Sequence, residues 1–552
     1  TTGTGTVTSS GGTAADTITT GTGNNSVTGN AGADTFVFVD DAFTTDDTIA
    51  GGAGTDVIKI DEAGQDEIIV LADFTNVTSV ETLTAGTTTG LAGNLGALAS
   101  TAGITTVTFA DTGASDSLTI DAEFANDLTV NLGGGTDTLD ASALTKTLTV
   151  AATETLFDSV AHTVTGGTGT ADVLSVTADG NGIDNASTTS LTAFEKLTIA
   201  NDAATGTIAI DNAAVADGTT FTIDATAQTT STSTSTFDLS DDSDGKFVVS
   251  LGAGADTITG SSSDLGDSIS GGAGADTFKY ASAQLTTLDT IVGGAGTDII
   301  STTDTAALVD ADFTNVSGVE TLQSEGTNGD FSLVLGSEAA GAGITTIGYT
   351  DVDSNGVDTI TIGSGFTNDL TINMLATTGD DSIVASGYTK DLTITLDSDS
   401  LTSGDTLTGG SGTDTLSFTG AQGTVLAEGD FAGVTAIETL DMGDNTARTI
   451  AVDEETVASG QTVNITNTGQ TSTVATVDAS AVSTAGGNVK VTLTGTGDHV
   501  VTLGHGDDTV TSSTSGAHNT VIATAGTNSI TLGTDEDSVT SGTGVDTIDF
   551  GD

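Results

Sequence analysis

Apolar residues in this chain alternate with threonine. Leu118-Thr119-Ile120, Leu128-Thr129-Val130, Leu148-Thr149-Val150, Leu370-Thr371-Ile372 and Leu392-Thr393-Ile394 all repeat with a period of two. Successive strand side chains point to opposite faces, so each run buries its aliphatics on one face and turns threonine outward. A second pattern links the runs. Phe74-x-x-Val77-x-x-Val80-Glu81-x-Leu83 recurs from Phe313 to Leu322 and from Phe431 to Leu440, with a shortened copy at Phe194-Glu195-Lys196-Leu197. Apolar residues three apart, then a two-residue step, predict a tight turn running into a strand. A helix would need three-four alternation. The patterns together predict an all-β protein, an elongated parallel β-solenoid or β-roll whose core is a narrow column of stacked aliphatics.

The chain also repeats itself over two longer distances. Asn30 to Phe36 returns at Gly272 to Phe278, and Gly51 to Asp56 returns at Gly293 to Asp298, so the long period is near 242. This frames two tandem units, 1–242 and 243–485, and a C-terminal roll over 486–552. The Thr- and Ser-rich stretch Thr229 to Thr236 sits at the junction as a candidate linker or exposed strand.

The short period is nine. Asp16, Asn25 and Asp34 are nine apart, each followed by Thr or Ser and an apolar residue; Asn519, Asn528, Asp537 and Asp546 repeat the spacing. The full pattern Gly-Gly-x-Gly-x-Asp is carried by Gly51, Gly52, Gly54 and Asp56; by Gly271, Gly272, Gly274 and Asp276; and by Gly293, Gly294, Gly296 and Asp298. Gly409, Gly410, Gly412 and Asp414 carry a variant with Ser at the third position. Shorter versions end at Asp256, at Asp508 (after Gly504 and Gly506) and at Asp546 (after Gly542 and Gly544); Asp137 and Asp267 join the same ligand set. Glycine permits turns with positive φ and lets backbone carbonyls crowd an ion, while aspartate supplies the hard oxygen that Ca²⁺ prefers. Nine residues make half a coil, so carboxylates 18 apart stack along one edge and hold ions between successive turns.

Charge sharpens this reading. The chain has 552 residues, 8 Lys+Arg against 76 Asp+Glu, a formal charge of −68 and no Cys. Eight cations cannot build a nucleic-acid surface, and thiolate or disulfide chemistry is excluded. No apolar run reaches the roughly 18 residues of a membrane-spanning helix. Only 15% of residues are charged, and aliphatics recur regularly, so the chain is expected to fold around cations rather than stay disordered. On the order of 20 bound Ca²⁺ would offset about 40 charges and convert binding energy into folding energy.

Other chemistry finds little footing. Asp351, Asp353 and Asn355 open an EF-hand-like loop, but position twelve is Ile362 rather than the bidentate Glu, leaving at most a calcium-stabilised turn. No His-Glu-x-x-His and no Gly-x-Ser-x-Gly occurs, and without Trp the chain lacks the usual sugar platforms. The expectation is a non-enzyme. His499 falls where a repeat Asp belongs and reads as a degenerate repeat position. The recurrent Glu81, Glu320 and Glu438 read first as a solvated face, with calcium ligation or subunit contact as alternatives.

The nonapeptides resemble the RTX (repeats-in-toxin) calcium-binding family. That resemblance implies type I secretion, folding outside a Gram-negative cell and many bound Ca²⁺. Rolls set among Val-Glu-Thr-Leu rungs at Val80 to Leu83 and Val319 to Leu322 are similar to bacterial surface-layer proteins of the Caulobacter type. This implies a self-assembling structural subunit of the cell surface, partnered by copies of itself and anchored to surface polysaccharide through a region not identified in the chain. A secreted adhesin or biofilm-matrix protein binding a surface or carbohydrate is the alternative.

Overall fold

A computed structural model of the chain describes residues 5–39, 42–61, 67–86, 90–109, 113–159, 162–304, 307–325, 331–349, 357–374, 379–420, 425–443, 447–467, 472–483, 487–512 and 516–551. Every strand pairing within it is parallel, and each strand pairs with those one coil before and after it, which makes the protein an all-β parallel β-solenoid. Two compact units divide it: residues 1–278 with 288–296, and residues 279–287 with 297–552.

The alternating pattern becomes a column. In the first unit Ile18, Phe36, Ile58, Leu83, Val107, Val130, Val150 and Leu174 are successive register partners along one sheet. Leu197, Ile223, Val249, Ile269 and Ile291 continue it. The second unit builds its own column from Ile300, Leu322, Ile347, Ile372, Ile394 and Leu416. All these side chains are buried. Most strands bury one to three apolar side chains on the inner face, as at Ile18, at Phe36 and Phe38, or at Leu148, Val150 and Ala152, and the core of each coil is closed by the coils beside it. Threonine at the intervening positions stays half-exposed, as in Leu148–Thr153.

Coil length separates two kinds of turn. In the N-terminal roll the partners Ile18 and Phe36 are 18 residues apart, two nonapeptides per coil. The coils that follow are longer and accommodate extra corners, and the C-terminal ones return to 18 residues, as between Val521 and Val539. Short helical turns at Ala97–Ala102 and Ser337–Ala342 occupy equivalent corners of the two tandem copies. Each ends on a glycine in the left-handed region, Gly103 and Gly343. Such one-and-a-half-turn helices carry no periodicity for a sequence to show. Residues 229–236 are a turn of an ordinary coil rather than a linker: Thr229, Thr230 and Ser233 all donate to Asp202, and Thr236–Asp238 is a paired strand.

The Phe-x-x-Val-x-x-Val-Glu motif is a corner. Leu71–Asn76 forms a 3-10 turn that buries Phe74, Val77–Thr78 pairs as a strand, Ser79 reverses the chain with φ of 52°, and Thr82–Ala85 starts the next strand. The expected tight turn into a strand is therefore present, with two strands on adjoining faces instead of one.

Candidate metal centre

The sequence places its aspartates at the residue just before each strand, and parallel stacking brings each above its counterpart in the next coil. There they form a ladder. Asp34 Oδ1 accepts the Asp16 N–H at 2.8 Å, Asp56 Oδ1 accepts the Asp34 N–H at 2.8 Å, and Glu81 Oε2 accepts the Asp56 N–H at 2.8 Å. Asp256 Oδ1 accepts the Ser235 N–H at 2.6 Å, and Asp276 Oδ1 accepts the Asp256 N–H at 2.9 Å. Asp267 takes the Phe247 N–H at 2.9 Å. In the second unit Asp414 takes the Leu392 N–H at 2.9 Å, Asp508 the Val489 N–H at 2.8 Å, and Asp537 the Asn519 N–H at 2.7 Å. A carboxylate–amide bond of this kind is worth about 1.5–3 kcal/mol.

One carboxylate oxygen is thereby used; in Asp267 and Asp414 the second accepts from Ser261 Oγ at 2.8 Å and from the Gly410 N–H at 2.7 Å, and at other steps it is left. Oδ2 of Asp34, Asp56, Asp256, Asp508 and Asp537 is buried and has no hydrogen-bond partner among the described residues. A buried anionic oxygen without a partner is costly, so its surroundings must supply positive charge. The glycines show where. A Cβ on Gly11 would lie 2.6 Å from both Asp16 Oδ2 and Gly29 O; one on Gly29 would lie 2.5 Å from Gly51 O and overlap Asp34 Oδ2. A Cβ on Gly271 would overlap Asp276 Oδ2 and lie 2.6 Å from Gly293 O. The second and fourth motif glycines face the carbonyl of the matching residue one coil earlier: Gly52 meets Asn30 O, Gly54 meets Gly32 O, Gly272 meets Gly252 O, Gly294 meets Gly272 O and Gly296 meets Gly274 O. Gly54, Gly274 and Gly296 have φ of 142°, 135° and 149°, a backbone region that favours glycine, so no side chain stands between these carbonyls and the next turn. Gly410 and Gly412 face Tyr388 O and Lys390 O in the same way; Gly504, Gly506, Gly542 and Gly544 face Val482 O, Gly487 O, Thr524 O and Gly526 O.

The donor set is thus one carboxylate oxygen with several main-chain carbonyls per turn. Among the described residues no three acidic or imidazole side chains converge, so a bound cation relies on the main chain. That suits Ca²⁺, which takes six to eight oxygens in flexible geometry, better than zinc. Burial pushes the Asp256 carboxyl up to about 7, with the Asp276 carboxylate adding to the effect. Burial also raises Asp267, Asp414 and Asp508, helped by the neighbouring carboxylates of Asp289, Asp391 and Asp507. A cation in the gap opposes each shift by stabilising the charged form and so holds the groups ionised.

Not every ladder position is alike. Asn25 Nδ2 donates to Asp47 Oδ1 at 2.8 Å and to Gly21 O at 3.0 Å, and Asn528 Nδ2 donates to Asp546 Oδ1 at 2.9 Å. There an amide performs the screening that a cation performs elsewhere. Asp137 Oδ2 faces the His162 Nδ1 at 3.3 Å. His499 sits in the ladder as a substitute for Asp, accepting the Ala475 N–H on Nδ1 at 3.0 Å. His162 does the same for the Asp137 N–H at 3.2 Å. Asp298 is buried and donates its N–H to Glu320 Oε2 at 2.9 Å. Asp351, Asp353 and Asn355 lie outside the described residues.

The ladder extends beyond the nonapeptides. Asp47, Asp116, Asp172, Asp289, Asp358, Asp381 and Asp405 occupy its steps in the longer coils. All but Asp172 are marked by Asp, then Thr or Ser, then Ile or Leu; Asp47, Asp289 and Asp405 also stand nine residues before Asp56, Asp298 and Asp414, whereas Asp116, Asp358 and Asp381 carry the signal without the nine-residue spacing. The rung glutamates are not a solvated face. Glu81, Glu195, Glu320 and Glu438 each accept an aspartate N–H of the preceding coil.

The RTX calcium-binding nonapeptide repeat matches residues 10–38, 41–59, 250–279, 288–304, 401–420 and 513–548. Curated proteins yield no match. The matched segments take in the Gly-Asp turns that end at Asp56, Asp256, Asp276, Asp298, Asp414 and Asp546, and leave 60–249, 305–400 and 421–512, which holds the Asp508 turn, uncovered. The chain therefore carries several RTX calcium-binding nonapeptide repeats in a parallel β-solenoid, and its cofactor is Ca²⁺, bound at multiple turns.

Proposed function

We propose that this is a secreted structural protein of the bacterial cell surface, a surface-layer subunit whose folding and self-assembly require Ca²⁺. The observation that carries the reading is the stack of buried carboxylates whose second oxygens lack hydrogen-bond partners. With a formal charge of −68 the fold is held against self-repulsion by cations rather than by its few basic side chains. Low cytosolic calcium then keeps the chain extended for export, and millimolar calcium outside folds it. Remaining surface carboxylates bridge to neighbouring copies through further Ca²⁺. No step in this role is catalytic.

A second reading, a secreted adhesin, draws on one observation. Thr105, Thr106, Asn126, Asp127, Lys146 and Thr149 line an open polar groove in the first unit. Thr345, Thr346, Asn368, Asp369, Lys390 and Thr393 line its counterpart in the second. Two matching grooves, each with one lysine in a lysine-poor chain, suit a repeating carbohydrate.

The test is a calcium titration followed by circular dichroism, light scattering and electron microscopy, with EGTA reversal. A coil-to-β transition with ordered sheets supports the surface-layer role. A transition that leaves single particles moves the assignment to the adhesin. An unchanged β spectrum in EGTA refutes calcium-driven folding.

A further inference from the structure

The corner motif has a property that its apolar residues do not explain. Four described non-glycine residues have positive φ, and three of them, Ser79, Ala193 and Ala436, occupy its same position. Its fourth copy has Gly318 there, with φ of 64°. Serine, alanine and glycine share no side-chain chemistry, so the backbone direction is what the position supplies. In each of the three copies the carbonyl of this residue points at the first glycine of an aspartate turn. A Cβ on Gly51 would overlap Ser79 O and lie 2.5 Å from Asp56 Oδ2. One on Gly409 would overlap Ala436 O and lie 2.6 Å from Asp414 Oδ2; one on Gly166 would overlap Ala193 O and lie 3.3 Å from Asp172 Oδ2. Among the described residues no turn or loop N–H donates to Ser79 O, Ala193 O or Ala436 O. Asp56 is fully buried, and its Oδ2 has no hydrogen-bond partner among the described residues.

The three corners also end the ladder alike. Asp56, Asp172 and Asp414 give their N–H to Glu81, Glu195 and Glu438 at 2.8, 2.8 and 2.9 Å. Asp172 and Asp414 share a further pair of bonds. Each accepts a strand N–H on Oδ1, from Leu148 at 2.7 Å and from Leu392 at 2.9 Å. Each accepts a glycine N–H on Oδ2, from Gly167 at 2.6 Å and from Gly410 at 2.7 Å. Gly409 to Asp414 lies in a matched nonapeptide, whereas Gly166 to Asp172, with one extra residue before its Asp, lies in none.

We propose that the corner motif is itself a calcium-binding element. The carbonyl oxygens of Ser79, Ala193 and Ala436 close a terminal cation site with Asp56, Asp172 and Asp414, and the Asp172 site lies outside every recognised repeat. Each is a hard-oxygen site for a divalent cation of calcium size. The left-handed conformation is kept in non-glycine residues because it turns this carbonyl toward the carboxylate. The proposal rests on the calcium reading above and adds ligands to it.

The experiment counts bound ⁴⁵Ca²⁺ per full-length chain by equilibrium dialysis at saturating calcium, with far-UV circular dichroism as a check on fold. A triple variant Ser79→Val, Ala193→Val, Ala436→Val, whose β-branched side chains disfavour positive φ, is expected to bind three ions fewer than the parent. The triple glycine variant at the same positions is expected to keep the parent count. Asp172→Asn alone is expected to lose one ion. Should the valine variant not fold, the glycine and Asp172→Asn counts decide. An unchanged count in Asp172→Asn, a loss in the glycine variant, or no loss in a folded valine variant overturns the proposal. A parent that binds no calcium overturns the calcium reading itself, so the two failures are distinct.

Discussion

Replacing Asp256 by Asn separates the two roles of a ladder carboxylate. Asn keeps an oxygen to accept the Ser235 N–H, which lies 2.6 Å from Asp256 Oδ1, and removes the charge. Burial raises the Asp256 carboxyl from 3.8 to about 7. A carboxyl whose folded pKa is raised gives the fold its full relative stability below the unfolded value, and that stability is lost as pH rises through the folded value. The metal-free coil therefore weakens between about pH 4 and pH 7. The loss is ~4 kcal/mol at 1.36 kcal/mol per unit, or about a thousandfold in local opening. Asp256→Asn escapes it. Hydrogen exchange read by mass spectrometry on peptides spanning 235–260 measures the opening. In EGTA at pH 8, with enough stabilising osmolyte to keep the metal-free chain folded, the variant is expected to be better protected than the parent, by up to that factor, with the two converging near pH 4. In millimolar Ca²⁺ the order reverses, because the parent gains a cation that the variant cannot hold. A variant less protected than the parent in both conditions refutes the reasoning, since the aspartate would then serve only as a hydrogen-bond acceptor.

Other outcomes follow from named contacts. Glu438→Ala leaves the buried Asp414 N–H without its acceptor and should cost about 1–3 kcal/mol, while Glu438→Gln restores an oxygen and should cost little; thermal melts in calcium check both. If both variants melt like the parent, the rung glutamate has no structural role. Gly274→Ala puts a side chain on a residue at φ of 135° and against the Gly254 carbonyl, so it should remove the adjacent ion and loosen both turns, visible as lost Tb³⁺ luminescence. Leu197→Ala, at a fully buried place in the first column, should cost about 2–5 kcal/mol even with calcium saturating, measured by urea unfolding. Chelation at neutral pH should abolish far more β signal than any of these single changes.

How much of this could be read from the residues depended on distance along the chain. The column was legible because Leu-Thr-Val runs such as 148–150 fix which face is buried without reference to any partner. The rolls were legible because glycine and aspartate recur at nine, a spacing that directly sets the coil length. Asp172 and Asp358 escaped because neither ends a Gly-x-Gly-x-Asp turn or follows another ladder residue by nine, so their carboxylates align through registers that no local period announces. The role of Glu81 was hidden for the same reason: its partner is 25 residues earlier, and a lone glutamate on a strand otherwise looks like a solvated side chain. The histidines show why identity alone misleads. His162 and His499 hold ladder positions because an imidazole nitrogen accepts an N–H as a carboxylate oxygen does, and burial pushes the His499 ring toward its neutral form.

The ladder bonds all run one way. Asp34 completes the amide of Asp16, Asp56 that of Asp34, and Asp508 that of Val489: the later coil always supplies the acceptor and the earlier coil the donor. A partly assembled stack therefore has two unlike ends, as a polar filament does. Its end toward the C-terminus presents bare amide donors, and its end toward the N-terminus presents carboxylates that calcium can already hold in place. Growth at the second end adds a coil to a charged, prepositioned template, whereas growth at the first must bring in an anion to meet a waiting amide. Assembly of this solenoid thus has a built-in direction, set by chemistry that every turn repeats.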